Sequence, residues 1–274
     1  MDGDPTDRSV ERLRETVANQ TGLDLDSDAD YRLASAAETL AERYDFVSPE
    51  AFAEAYLRRR PDEWTEAFVA LLVSDETCFF RDQHPFEGLR RDVLPELFRP
   101  KPSHRPLRVW SAACSSGQEV YSLAILLDEH FPGRWPEQTH LLGSDISEEA
   151  IRRARRGRYT QIQVNRGLPA KYLPTYFEQQ GRHWVVDGRI ADHVEFRRIN
   201  LLDSLPPLPT MDLVVLRYLL TYYTDRRRRE LLDRLHGALR QDGILILGGA
   251  ETWSGIHRDF RLERTERTRF YRKV

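Results

Sequence analysis

Only two cysteines, Cys78 and Cys114, occur in 274 residues, and neither stands in a C-x-x-C pair or at metal-ligand spacing. Their scarcity excludes a disulfide framework and points to a reducing compartment, so the expected location is the cytoplasm. The eight histidines are scattered without an H-E-x-x-H pair, and no metal is expected. Long apolar runs are missing too: none approaches the roughly 18 residues of a spanning helix, so no membrane insertion is expected. The acidic start, MDGDPTDRSVERLRE, has no apolar segment of the kind a secretory signal needs. Internal repeats and low-complexity tracts are likewise absent.

What is present is globular in composition, 40% apolar and 31% charged. The formal net charge of −3 conceals an asymmetry. Residues 1–80 carry 8 Lys and Arg against 19 Asp and Glu, whereas residues 81–274 carry 33 against 25. Two modules with different surfaces would give this pattern, and so would a solvated acidic helical face.

The first 80 residues read as helices. DRSVERLRETVANQTG spaces Val10, Leu13 and Val17 helically and closes on Gly22. ADYRLASAAETLAERYDF follows, and SPEAFAEAYLRR opens with Ser48 as N-cap and Pro49 at the first helical position. DEWTEAFVALLVS is a fourth periodic segment. Two more helical stretches in HPFEGLRRDVLPELF lead to a proline-rich connection, RPKPSHRP. Beyond it, strands (LRVWSAA, HLLGSDIS, VEFRRINLL, MDLVVLRYLL, GILILGGAE) alternate with helices (QEVYSLAILLDEHF, EEAIRRARRG, DRRRRELLDRLHGAL), the last helix stopped by Asp242-Gly243. This order predicts an α/β, doubly wound, mainly parallel sheet. FRLERTERTRFYRKV alternates at period two and predicts a closing antiparallel pair. The stretch from Tyr159 to His193 interrupts the alternation and predicts a small inserted subdomain with two aromatic-rich segments.

The turn after the first strand, SAACSSGQEVYSLA (Ser111 to Ala124), limits the chemistry. A phosphate loop needs a lysine after its last glycine, and here Gln118 follows Gly117. A serine elbow needs G-x-S-x-G, which is missing. Cys114 lacks the flanking signature of a nucleophile and reads as a small buried thiol. What remains is a strand-to-helix turn of small residues, followed by an acid, Asp145, at the end of the next strand. Such a pair suits a ligand whose ribose meets the acid. Glu119 in the first helical turn would repel a pyrophosphate but suit the cationic amino group of S-adenosylmethionine. The turn therefore favours a methyltransferase over a dehydrogenase.

Three motifs together resemble the chemotaxis receptor methyltransferases of the CheR type. They are ETCFFRD (Glu76 to Asp82), RVWSAACSSGQEVYSLA (Arg108 to Ala124) with GSDIS after it, and VEFRRINLLD followed by DLVVLRYLLTYY and DGILILGGAE. The resemblance implies a helical N-terminal domain over 1–72 and a Rossmann-like methyltransferase domain over 73–274. Within the latter, a small β-subdomain would be inserted at about 159–197. It implies that Thr77 and Arg81 approach the cofactor, S-adenosylmethionine, from the N-terminal side. Ala113 would offer a backbone contact, Glu119 would hold the methionine amino group, and Asp145 would bind the ribose. Asn200 and Leu201 would flank the adenine, and Arg217 would lie beside the cofactor. Arg81 and Tyr222 would form the reaction centre. The implied acceptor is a glutamate side chain of a methyl-accepting chemoreceptor or related signalling protein. Tyr218 stands where the family has an asparagine, and the alternatives are a regulatory module that binds S-adenosylmethionine or S-adenosylhomocysteine without turnover and a CheR-like methyltransferase with a different protein acceptor. The arginine runs RRARRGR and DRRRRELL read as solvated helix faces, so no nucleic-acid partner is expected.

Overall fold

The computed structural model describes residues 5–26, 29–73, 76–99, 105–249, 251, 259–266 and 268–274. Most of the proline-rich connection, residues 100–104, lies outside the described residues. The chain divides into two compact units, residues 1–75 with 219–231, and residues 76–218 with 232–274.

Among the described residues of 1–75, the first unit holds the helices α1 (Pro5–Thr21), α2 (Asp30–Arg43), α3 (Pro49–Arg59) and α4 (Asp62–Leu72). In α2 the buried residues Leu33, Ala36, Ala37, Leu40 and Ala41 recur at three- and four-residue spacing, which makes one apolar stripe. Helix α3 starts as the sequence predicts, with the Ser48 side chain accepting the Ala51 amide at 3.2 Å and Pro49 in the first turn. Tyr44, Phe46, Phe52, Trp64 and Phe68 pack ring against ring with centroids 5.0–6.1 Å apart. Burying Phe52 or Phe68 contributes about 1.5–3 kcal/mol each. Residues 219–231 join this unit by backbone bonds: the Asp24 amide donates to the Tyr222 carbonyl at 2.8 Å, and the Thr224 amide to Gly22 at 3.0 Å. Arg227 adds hydrogen bonds to the carbonyls of Thr21 and Gln20 at the end of α1.

The second unit is built on a seven-stranded sheet. Its strands are β1 (Leu107–Ala112), β2 (Thr139–Asp145), β6 (Val194–Arg198), β7 (Met211–Leu216), β8 (Leu239–Leu247), β9 (Phe260–Arg264) and β10 (Arg269–Lys273). They lie in the order β6-β2-β1-β7-β8-β10-β9. The first five are parallel and β10 runs antiparallel to both neighbours, so the expected closing pair is present. Every residue of β7 is buried, as a parallel strand covered on both faces requires. The chain goes outward in one direction from β1 through β2 to β6, then returns to β7 on β1's other side. That reversal opens a crevice at the carboxyl ends of β1 and β7.

The Asp242-Gly243 pair does not stop a helix. The helix Asp225–Ala238 ends earlier and β8 begins at once at Leu239. Pairing with β7 slips between Met211↔Leu239 and Leu213↔Ile244, so extra β8 residues bulge out there. Asp242 takes φ 61 within the bulge, a conformation that Asp tolerates better than most residues.

The inserted segment forms a separate antiparallel sheet of β3 (Arg158–Thr160), β5 (His183–Val186) and β4 (Phe177–Gln180). Its aromatics clamp the two phenylalanines that precede Arg81. Phe79 meets Tyr159 and Phe177 edge-on at 5.0 and 5.4 Å, and Phe80 stacks on Tyr172 at 5.3 Å. Gly167 passes so close that a Cβ there would lie 2.1 Å from the Phe79 carbonyl oxygen. Among the described residues no helix is long and apolar enough to cross a membrane.

Candidate functional site

At the carboxyl end of β1 the chain turns through Ala113 (φ 58), Ser115 (φ 49) and Gly117 (φ 93) into the helix Gln118–His130. Gly117 leaves no room for a side chain, since a Cβ would lie 2.9 Å from that of Ala154. Asp145, at the end of β2, braces the turn: its carboxylate accepts the Ser115 amide at 2.8 Å and the Ser147 amide at 2.9 Å. Ser147 itself caps the following helix through the Ala150 amide, which frees Asp145 from capping.

Deeper in the crevice stands Arg217, immediately after β7, with its side chain only 3% exposed. It donates to Glu119 Oε2 at 3.0 Å, to Asp82 Oδ2 at 2.6 Å and to the Arg81 carbonyl at 2.8 Å. Ser111 Oγ donates to the other Glu119 oxygen at 2.7 Å. Next along the chain, Tyr218 donates its hydroxyl to Asp82 and its amide to Glu251 Oε2 at 2.7 Å. Glu251 also accepts the Gly248 amide at 2.8 Å, which ties the ends of β7 and β8 together. The Arg81 guanidinium lies 3.8 Å from the Tyr218 ring centroid. Six of the nine described non-glycine residues with positive φ fall here: Phe80, Asp82, Gln83, Ala113, Ser115 and Tyr218. Backbone strain is thus concentrated where the side chains converge.

Of the residues singled out from sequence, Arg81, Glu119 and Arg217 are joined in this network, and Ala113 lies in the turn that Asp145 braces through the Ser115 amide. Asn200 and Leu201 follow β6, where the Ile199 amide donates to the Asp145 carbonyl at 3.0 Å. The Asn200 side chain accepts the Leu202 amide and donates to Asp203. Thr77 is half-buried on the segment that carries Arg81. Tyr222 lies in the helical unit. Asp82, Ser111, Ser115 and Glu251 had no role in the sequence reading. All four lie in motifs quoted from the sequence, Asp82 closing ETCFFRD, Ser111 and Ser115 in SAACSSGQEVYSLA and Glu251 closing DGILILGGAE, but nothing local in those motifs marked their partners. Cys114 is fully buried, and burial followed by the nearby Asp145 and Glu119 charges pushes its thiol well above the usual range. It is not equipped as a nucleophile.

The group that the turn and the acid imply is S-adenosylmethionine, which carries a sulfonium, an ammonium, a carboxylate and a ribose. Around the crevice Asp82 and Glu119 accept from Arg217, and Asp145 and Glu251 accept backbone amides. Carboxylates so placed suit the ammonium of a cationic ligand and oppose a pyrophosphate. Arg217 Nε is a buried N–H with no acceptor among the described residues, which a ligand carboxylate would satisfy. Glu119 accepts one hydrogen bond on each carboxylate oxygen, which leaves acceptor capacity for an ammonium. The residues fit the group.

A family model described as the CheR methyltransferase, SAM binding domain, matches residues 75–269. The chain is 35% identical over 250 residues to the chemotaxis protein methyltransferase 1 of Pseudomonas aeruginosa, covering 90% of each. It is 33% identical, with the same coverage, to the chemotaxis protein methyltransferase Cher2 of Pseudomonas putida. Against the chemotaxis protein methyltransferase of Vibrio parahaemolyticus the identity is 30% over 94% of each chain.

Proposed function

Because the chain belongs to the CheR methyltransferase family, with S-adenosylmethionine as its cofactor, we propose that it forms methyl esters on glutamate side chains of chemoreceptor-like signalling proteins. The network that joins Glu119, Arg217 and Asp82 carries this reading, because it combines a cation-binding crevice with an arginine beside it.

Glu119 holds the amino group of the cofactor and Arg217 its carboxylate. Asp145 takes the ribose hydroxyls, Asn200 and Leu201 border the adenine, and Ala113 offers backbone to the adenosyl group. Thr77 lines the approach from the Arg81 side. When bound, S-adenosylmethionine supplies an electrophilic methyl group that carries its own leaving group.

The acceptor carboxylate, with a pKa of about 4.3, is already ionised at neutral pH, so no general base is required. Arg81 presents paired N–H groups that orient the carboxylate. Alignment of two bound reactants is worth up to about 7–11 kcal/mol, so positioning carries the reaction. The protein works in the cytoplasm on receptor domains exposed there.

The test is transfer of radiolabelled methyl from S-adenosylmethionine to a cytoplasmic receptor fragment. Label released by mild base is expected. Base-stable label, or none on any receptor fragment, contradicts the reading.

A further inference from the structure

Tyr218 is the least expected residue of the site. Its backbone sits at φ 63, which is unfavourable for a bulky side chain. Its ring nevertheless faces two guanidinium groups, with Arg81 Cζ at 3.8 Å and Arg217 Cζ at 5.2 Å from the ring centroid. Surrounding contacts hold this conformation, since the amide donates to Glu251 and the hydroxyl to Asp82.

We propose that Tyr218 is a positioning residue that holds the Arg81 guanidinium flat against its ring, so that Arg81 selects a carboxylate as methyl acceptor. The proposal rests on the reading of Arg81 as the group that meets the acceptor. Arginine has a flexible stem, and among the described residues the Arg81 side chain donates from Nη1 to the Glu76 carbonyl at 2.6 Å. Stacking occupies the face of the guanidinium and leaves in-plane N–H groups for a bidentate carboxylate. Asp82 follows Arg81 directly and would otherwise compete for it. Its carboxylate instead accepts from Tyr218 and Arg217. A carboxamide acceptor, as in glutamine, would lack the paired anionic oxygens that such an arginine fits.

The experiment compares Tyr218→Phe, Tyr218→Leu and Tyr218→Asn in the full chain with S-adenosylhomocysteine bound. The first readout is the Nε–Hε resonance of Arg81, assigned with Arg81→Lys. An upfield ring-current shift is expected in the parent and in Tyr218→Phe, and its loss in the other two. The second is steady-state methyl transfer to a receptor fragment. Loss of the ring should raise the acceptor KM about three- to fivefold, with S-adenosylhomocysteine affinity changed less than the KM. Tyr218→Phe should fall between parent and Tyr218→Leu. An Arg81 resonance indifferent to the ring, or cofactor affinity falling in step with acceptor KM, overturns the proposal. A parent protein that methylates no receptor would instead contradict the acceptor assignment, with the resonance shift still reporting on Tyr218.

Discussion

Glu119 and Arg217 are 98 residues apart in the chain and meet at 3.0 Å where β1 and β7 end side by side. Arg217 is also the cation shared with Asp82, so removing it leaves two acids facing one another. Arg217→Ala is expected to destabilise the fold by about 3–5 kcal/mol, the usual cost of stranding a buried charge. Urea unfolding measures this. Arg217→Lys should recover less than half, because one ammonium cannot reach both acids and the Arg81 carbonyl.

Glu119→Gln keeps the shape and an acceptor for Ser111 while removing the charge. Calorimetry should show S-adenosylhomocysteine bound about tenfold or more weakly, equivalent to about 1.4 kcal/mol.

Asp145 has two jobs in this account, bracing the turn and binding the ribose. Asp145→Ala releases the Ser115 and Ser147 amides and should cost both stability and cofactor affinity. Asp145→Asn restores the volume and one acceptor, so it should recover stability better than affinity. Thermal shift with and without S-adenosylhomocysteine separates the two effects.

The Arg81 backbone carbonyl accepts from Arg217, and in the proposed reading its side chain meets the acceptor. Arg81→Ala should therefore lower methyl transfer at least tenfold, while S-adenosylhomocysteine binding changes little. A parallel loss of cofactor affinity would move Arg81 to the cofactor side.

Burial raises the thiol pKa of Cys114 and the phenol pKa of Tyr121. A group with a raised folded pKa contributes stability that is complete below its unfolded pKa and is lost as pH rises toward the folded one. The unfolding midpoint should hold at neutral pH and fall as pH climbs above about 9. Cys78 is half-buried and its thiol is raised as well, first by burial. Thiol labelling of the folded protein should be slow, accelerate with pH, and reach Cys78 before Cys114.

Much of the architecture was legible because strand and helix periods differ and alternate cleanly from Leu107 onward. Most of the site was not. Asp82 meets Arg217 across 135 residues, and no local pattern reports such a pairing. The positive φ of Tyr218 has no sequence signature, because glycine or asparagine would normally mark it. Residues 219–231 run on directly from Tyr218, yet the backbone bonds that tie Tyr222 and Thr224 to Asp24 and Gly22 involve no side chain that could advertise them.

The central claim is methyl transfer to a carboxylate, and peptide mapping of a receptor fragment after incubation with S-adenosylmethionine tests it most directly. The account predicts methylated glutamate side chains that revert to glutamate in mild base, and almost none with Arg81→Ala. Methyl groups found on lysine, arginine or nucleic acid, or a protein that binds S-adenosylmethionine and never transfers the methyl, would contradict it.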